Sequence, residues 1–170
     1  MFRRLAFLVF LFSSFVVRSQ GSANYALGAD LGYHPQDLFF HVRGQLIKKR
    51  FTHEVFLGCG FTKTILQGQF NPSIGYDLSY RFKLTDWFCV SPLVRLSYAF
   101  LNTRSPGKNP FIHVTEGFLG GRLAFGKKNK IALSGGIGPA VEWKYDAYEA
   151  RNSRFFMWNY FAEVAYYYEF

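Results

Sequence analysis

The chain has 170 residues, of which 49% are hydrophobic and 21% aromatic, with 20 Lys and Arg against 11 Asp and Glu. That length is enough for one domain, and that apolar share excludes a disordered tail. Phe and Tyr supply most of the aromatics; with 16 Gly and few helix-forming runs, the balance favours strands.

The first residues, "MFRRLAFLVFLFSSFVVRSQ", set Arg3 and Arg4 before an apolar run from Leu5 to Val17, followed by small and polar residues. The pattern predicts a secretory signal peptide over residues 1–19, cleaved after Ser19, leaving residues 20–170 as the folded part. The apolar run is shorter than the roughly 20 residues that a spanning helix needs. No Cys follows it, which argues against a lipid anchor at this end. Removing Arg3, Arg4 and Arg18 lowers the formal charge from +9 to about +6. The remaining basic residues gather mainly at turns, Lys48 to Arg50 and Lys127 to Lys130, where they read as solvated or lipid-headgroup contacts and not as a nucleic-acid surface.

Alternation bounded by turn residues predicts eight strands: Ala23 to Tyr33, Leu38 to Ile47, Phe51 to Thr62, Ile74 to Lys83, Phe88 to Phe100, Phe111 to Phe125, Lys130 to Trp143 and Phe155 to Phe170. The turns "IKKR", "LTDW" and "GKKN" are tight, whereas "KTILQGQFNPS", "LNTRSPGKNP" and "KYDAYEARNSR" are long, with "HPQD" a short exception at the long end. Short turns at one end and long loops at the other predict an all-β, eight-stranded antiparallel up-and-down transmembrane barrel. Matching of faces predicts Leu123 opposite Leu133 and Arg122 opposite Ser134. It also predicts Val42 opposite Val55, which sets Arg43 beside Glu54, and Tyr80 opposite Val90.

The two faces differ in chemistry. One carries Gly and Ala interrupted by Asp30, Arg43, Glu54, Asp77, Arg81, Arg95, Glu116, Arg122, Glu142 and Glu163. Small residues with opposite charges fit a narrow lumen closed by an ion-pair network, since eight strands leave room only for side chains. The other face carries Tyr25, Tyr33, Phe40, Leu57, Tyr76, Tyr80, Trp143, Trp158 and Tyr168, and would meet lipid. A soluble carrier with the faces reversed is the alternative fold reading.

The chain ends "FAEVAYYYEF", with Phe156, Trp158, Tyr160, Ala162, Val164, Tyr166 and Tyr168 on one face of a strand that runs to Phe170. Such a strand closes a barrel against the first, because an open edge in hydrocarbon would leave backbone groups unsatisfied. The terminal Tyr166, Tyr168 and Phe170 resemble the C-terminal insertion signal of Gram-negative outer-membrane barrels. With the signal peptide and eight strands, the chain resembles the small OmpA/OmpX-like outer-membrane β-barrel domain family. The resemblance implies an outer-membrane location, contact with lipid and lipopolysaccharide, and handling of the last strand by the barrel-assembly machinery.

No motif predicts an active site, a cofactor or a metal centre. The four histidines lack metal-ligand spacing, with His41 facing the lumen, His34 at a loop, His53 near the short turns and His113 near the long loops. His113 and Thr115 are similar in placement to the His and Ser of outer-membrane lipid A deacylases. Threonine stands in place of the serine, Glu116 in place of the following Asn, and Trp143, not an acid, opposes His113. Cys59 and Cys89 are predicted to lie on different faces and far apart, as free thiols. The expected role is non-enzymatic: envelope support, or partner contact through the loop bearing Tyr145, Tyr148, Arg151 and Arg154. A narrow channel and a lipid A-modifying enzyme are the alternatives.

Overall fold

The computed structural model describes residues 23–61, 70–102, 111–146 and 151–170. The predicted signal peptide, most of the three long loops and Tyr148 lie outside the described residues. Nine strand segments are present: β1 Ala23–His34, β2 Asp37–Lys48, β3 Phe51–Gly60, β4 Pro72–Tyr80, β5 Phe82–Lys83, β6 Phe88–Asn102, β7 Phe111–Phe125, β8 Asn129–Asp146 and β9 Arg151–Glu169. All pair antiparallel in the order β4-β3-β2-β1-β9-β8-β7-β6-β5, and β4 also pairs with β6. Segment β5 continues β4 beyond Arg81 in the same register against β6. The result is a closed barrel of eight staves, with no free edge.

Closure is made by the first and last staves, from Ala26 opposite Glu169 to Tyr33 opposite Ala162. The Phe170 amide adds one more bond to the Tyr25 carbonyl at 2.9 Å, so the ladder runs to the terminal residue.

The β7–β8 hairpin has the predicted register, with Leu123 opposite Leu133 and Arg122 opposite Ser134. Its tight turn depends on Gly126, at φ 113°, where a Cβ would lie 1.9 Å from the Asn129 carbonyl oxygen. The ladder skips two positions, Gly117 opposite Pro139 and Phe118 opposite Gly138, beside a proline that has no amide to donate.

Two other hairpins differ from expectation by two residues. Val42 opposes Leu57, not Val55, because the turn residues are Lys49 and Arg50, one step later than predicted. Phe82 opposes Val90 where Tyr80 was expected, and Tyr76 faces Leu96. Moving a tight turn by one residue slides the pairing by two, so every side chain keeps its face. The β8–β9 hairpin is also longer than expected. Tyr145 and Arg151 belong to strands and not to a loop, and Asp146 opposes Arg151.

The outward surface is apolar. Leu119 and Trp158 are each 68% exposed, and Leu27, Leu57, Leu96, Ile137 and Val164 are similarly bare. A belt of this size facing water would far exceed the patches tolerated by soluble monomers, whereas hydrocarbon accommodates it. Polar hydroxyls are satisfied within the belt: the Tyr76 hydroxyl lies 2.6 Å from His53 Nδ1, and Tyr98 pairs similarly with His113. Leu119→Arg, in the middle of β7, is expected to lower unfolding free energy in bilayers by about 2–4 kcal/mol, against about 1 or less for Leu84→Arg at a turn. Denaturant titration of the refolded protein measures both.

Candidate functional site: the lumenal charge network

The inward face begins with space. A Cβ on Gly75 would fall 2.1 Å from Phe56 Cζ, one on Gly28 2.5 Å from Tyr167 Cδ1, and one on Gly136 2.7 Å from Phe161 Cε1. These three glycines thus leave the space that the aromatic rings occupy. The rings in turn carry arginines. The Arg95 guanidinium lies 3.9 Å from the Phe161 centroid and 4.9 Å from that of Phe56, Arg43 is 4.7 Å from Phe56, and Arg122 is 5.7 Å from Tyr167. Cation–π attraction is strongest where water is excluded, as here.

The arginines bind carboxylates on neighbouring staves and across the lumen. Arg95 donates to both oxygens of Asp77, at 2.7 and 2.6 Å, and to both oxygens of Glu163, each at 2.8 Å. Arg43 donates to Asp30, to Glu54, to Asp77 at 3.3 Å and to Glu163 at 2.6 Å. Arg122 donates to Glu54 at 2.8 and 3.1 Å, to Asp77 at 3.0 Å, and through Nε to Ser134 Oγ at 3.0 Å. Asp30, Arg43, Glu54, Asp77, Arg95, Arg122, Ser134 and Glu163 come one from each stave. Glu54, Asp77 and Arg95 have no exposed surface, and Arg43 has 1%.

The network is fully hydrogen bonded, the condition under which buried ion pairs are tolerated. The Tyr167 hydroxyl donates to Glu54 at 3.2 Å, while His41 bridges Asp30 at 2.9 Å and Ser73 at 3.1 Å. Apolar clusters flank it along the strands. Ala26, Ala132, Ala165 and Tyr167 lie toward the short turns, and Phe39, Leu101, Val114 and Ala140 toward the long loops. The middle of the lumen is therefore filled with side chains.

Three of the predicted network residues lie elsewhere. Glu116 forms a separate buried cluster near the long-loop end, accepting from Ser97 at 3.0 Å and from Asn159, with His34 Nδ1 at 3.6 Å. His34 ends β1 and is buried, not placed on a loop. Arg81 interrupts the β4–β5 stave at the short-turn mouth and approaches Glu169 at 3.8 Å. Glu142 is half-buried and makes no ion pair among the described residues. Arg43 and Glu54 are in contact, but diagonally, since Arg43 opposes Phe56. Phe56, Phe161 and Tyr167 were legible only as inward-facing by parity; their signal was an aromatic on the glycine-rich face.

The outer His113 is bound through Nδ1 to the Tyr98 hydroxyl at 2.5 Å and opposes Trp143. No carboxylate is hydrogen bonded to it among the described residues. Arg154 lies over the Trp143 ring at 4.5 Å. Cys59 and Cys89 are free thiols. Among the described residues no three His, Cys, Asp or Glu side chains gather into a metal-binding group. Tyr166, Tyr168 and Phe170 all face outward, with the last two rings 5.2 Å apart edge to face.

No protein-family model matches the chain. No curated protein matches it either. Among solved structures, the chain is similar to the N-terminal β-barrel domain of Pseudomonas aeruginosa OprF, with a TM-score of 0.59 and 9% identity over 86% of this chain and 97% of that one. It is also similar to a major outer membrane protein from Thermus thermophilus, with a TM-score of 0.51 and 12% identity over 88% of this chain and all of the other. The fold is that of small OmpA-like outer-membrane barrels.

Removing one arginine strands its carboxylates without counter-charge. Arg95→Met is expected to lower unfolding free energy by about 3–5 kcal/mol, whereas Arg81→Met at the partly exposed mouth costs about 1 or less. Adding Glu163→Gln to Arg95→Met is expected to recover part of the loss, read as a non-additive double-mutant cycle.

Proposed function

We propose that the chain is an exported, integral outer-membrane barrel that supports the envelope or presents its long-loop end to partners, without an enzymatic step. One observation carries the reading: the barrel is apolar outside and sealed inside by a charge network that draws on every stave. Sealing by ion pairs leaves the lumen neither a carrier cavity for an apolar ligand nor a standing water path. The outward belt would contact lipid and lipopolysaccharide, and the barrel-assembly machinery would engage the last strand at Tyr166, Tyr168 and Phe170. The β8–β9 hairpin, with Arg154 on Trp143 at its base, is the surface offered to partners. The pairing of His113 with Tyr98, in place of an orienting acid, supports the non-enzymatic reading.

The protein is expected in the outer-membrane fraction with gel mobility that changes on boiling, and without unitary conductance in planar bilayers. Steady conductance steps would replace the sealed barrel with a narrow channel. Expression in a competent host is expected to leave the lipid A mass spectrum unchanged. A loss of acyl chains that disappears in His113→Ala would establish an enzyme instead.

A further inference from the structure

The short-turn mouth holds a pocket of about 300 Å³ whose charge is unbalanced. Its walls bring Arg81, Lys83, Lys127 and Lys130 together with only Asp86 and Glu169. Glu169 is already engaged by Lys130 and by Arg81, and accepts from Asn24 at 3.0 Å. Among the described residues Lys83 and Lys127 have no ion-pair partner. With Asp86 as the one further acid, the lining carries four cations against two carboxylates, an excess of two positive charges around a half-enclosed cavity that raises local anion concentration.

The pocket is also preformed. The Leu84 and Thr85 amides both donate to the Phe88 carbonyl, at 3.1 and 3.2 Å, and the Gly126 amide donates to the Trp87 carbonyl at 2.7 Å, which locks the two turns to each other. The Glu169 amide donates to the Lys128 carbonyl at 2.9 Å, fixing the third wall. A volume of this size is at the lower end of small-molecule sites. Thr85, Trp87, Phe88, Cys89, Ala124 and Gly126 complete its lining.

We propose that this mouth is a binding site for a phosphate-bearing anion, with Lys83 and Lys127 as the cations outside its ion pairs and the lining as a whole in positive excess. Phosphate fits because point-charge lysines bind it without demanding bidentate geometry. The group has two sources: the headgroup of an anionic lipid in the adjoining leaflet, or a soluble phosphorylated solute reaching the mouth. The site does not depend on which compartment the short turns face.

The refolded full chain in maltoside micelles, titrated with inorganic pyrophosphate by calorimetry, tests the soluble source. Native mass spectrometry of lipid retention, phosphatidylglycerol against phosphatidylcholine, tests the lipid source. Lys83→Gln/Lys127→Gln is compared with Lys48→Gln/Lys128→Gln, which removes equal charge from the same rim outside the pocket lining. Boiling-dependent gel mobility verifies that both fold. The expected result is one bound equivalent of either probe, weakened about tenfold or more in the pocket variant and little changed in the rim variant. Binding of pyrophosphate alone assigns the soluble source, and selective retention of phosphatidylglycerol alone assigns the lipid source. Absence of both, or equal loss in both variants, would overturn the site.

Discussion

Arg95 is the group on which the lumen depends. A guanidinium cannot shed its charge, so burying it requires carboxylates fixed around it. Asp77 and Glu163 meet it from β4 and β9, while Phe56 and Phe161 flank it with their rings. Those rings lie inward only because Gly75 and Gly136 leave space beneath them. A chain of dependence thus runs from glycine to ring to arginine to acid. Because the acids come from staves that are not neighbours, the network braces the barrel across its diameter. Arg95 to Glu163 and Arg122 to Glu54, each three staves apart, are such cross-lumen contacts.

The same constraint links fold to function. Hydrocarbon outside forces every backbone group into a closed ladder, and the narrow circumference of eight staves leaves the interior only wide enough for side chains. Charge inside then has to be matched internally, which closes the lumen. What remains free for interaction is at the two ends: the extended β8–β9 hairpin above, and the cationic mouth below. The end regions carry charges that the interior does not need.

Much of this was legible in the sequence, because period-two alternation states which side chains share a face. The closing role of the last strand, the β7–β8 register and the inward set around Arg43, Arg95 and Arg122 follow from it. Exact registers of β2–β3 and β4–β6 did not, since sliding a hairpin by two residues leaves both faces unchanged and the hydrophobic pattern is blind to it. Height along the barrel was hidden for a related reason: stagger between staves decides whether an inward charge reaches the centre. Glu116, Arg81 and Glu142 point inward like Glu54 but lie at other levels or, for Glu142, without an ion-pair partner among the described residues. Contacts such as Arg95 to Glu163, 68 residues apart, have no local signal. The β8–β9 extension has no signal in the sequence, because "KYDAYEARNSR" has the composition of a loop although its residues 144–146 and 151–154 pair in the ladder.

With the apolar face in lipid and the charged face enclosed, a tryptophan on the outer wall meets acyl chains and not water. A variant with Trp87→Phe and Trp143→Phe retains only Trp158, which is outward and 68% exposed. Its fluorescence in bilayers is measured with brominated acyl chains and with aqueous iodide. Strong quenching by the brominated lipid and little by iodide is the predicted result. Quenching by iodide with none from the brominated chains would place this face in water and reverse the two faces of the barrel.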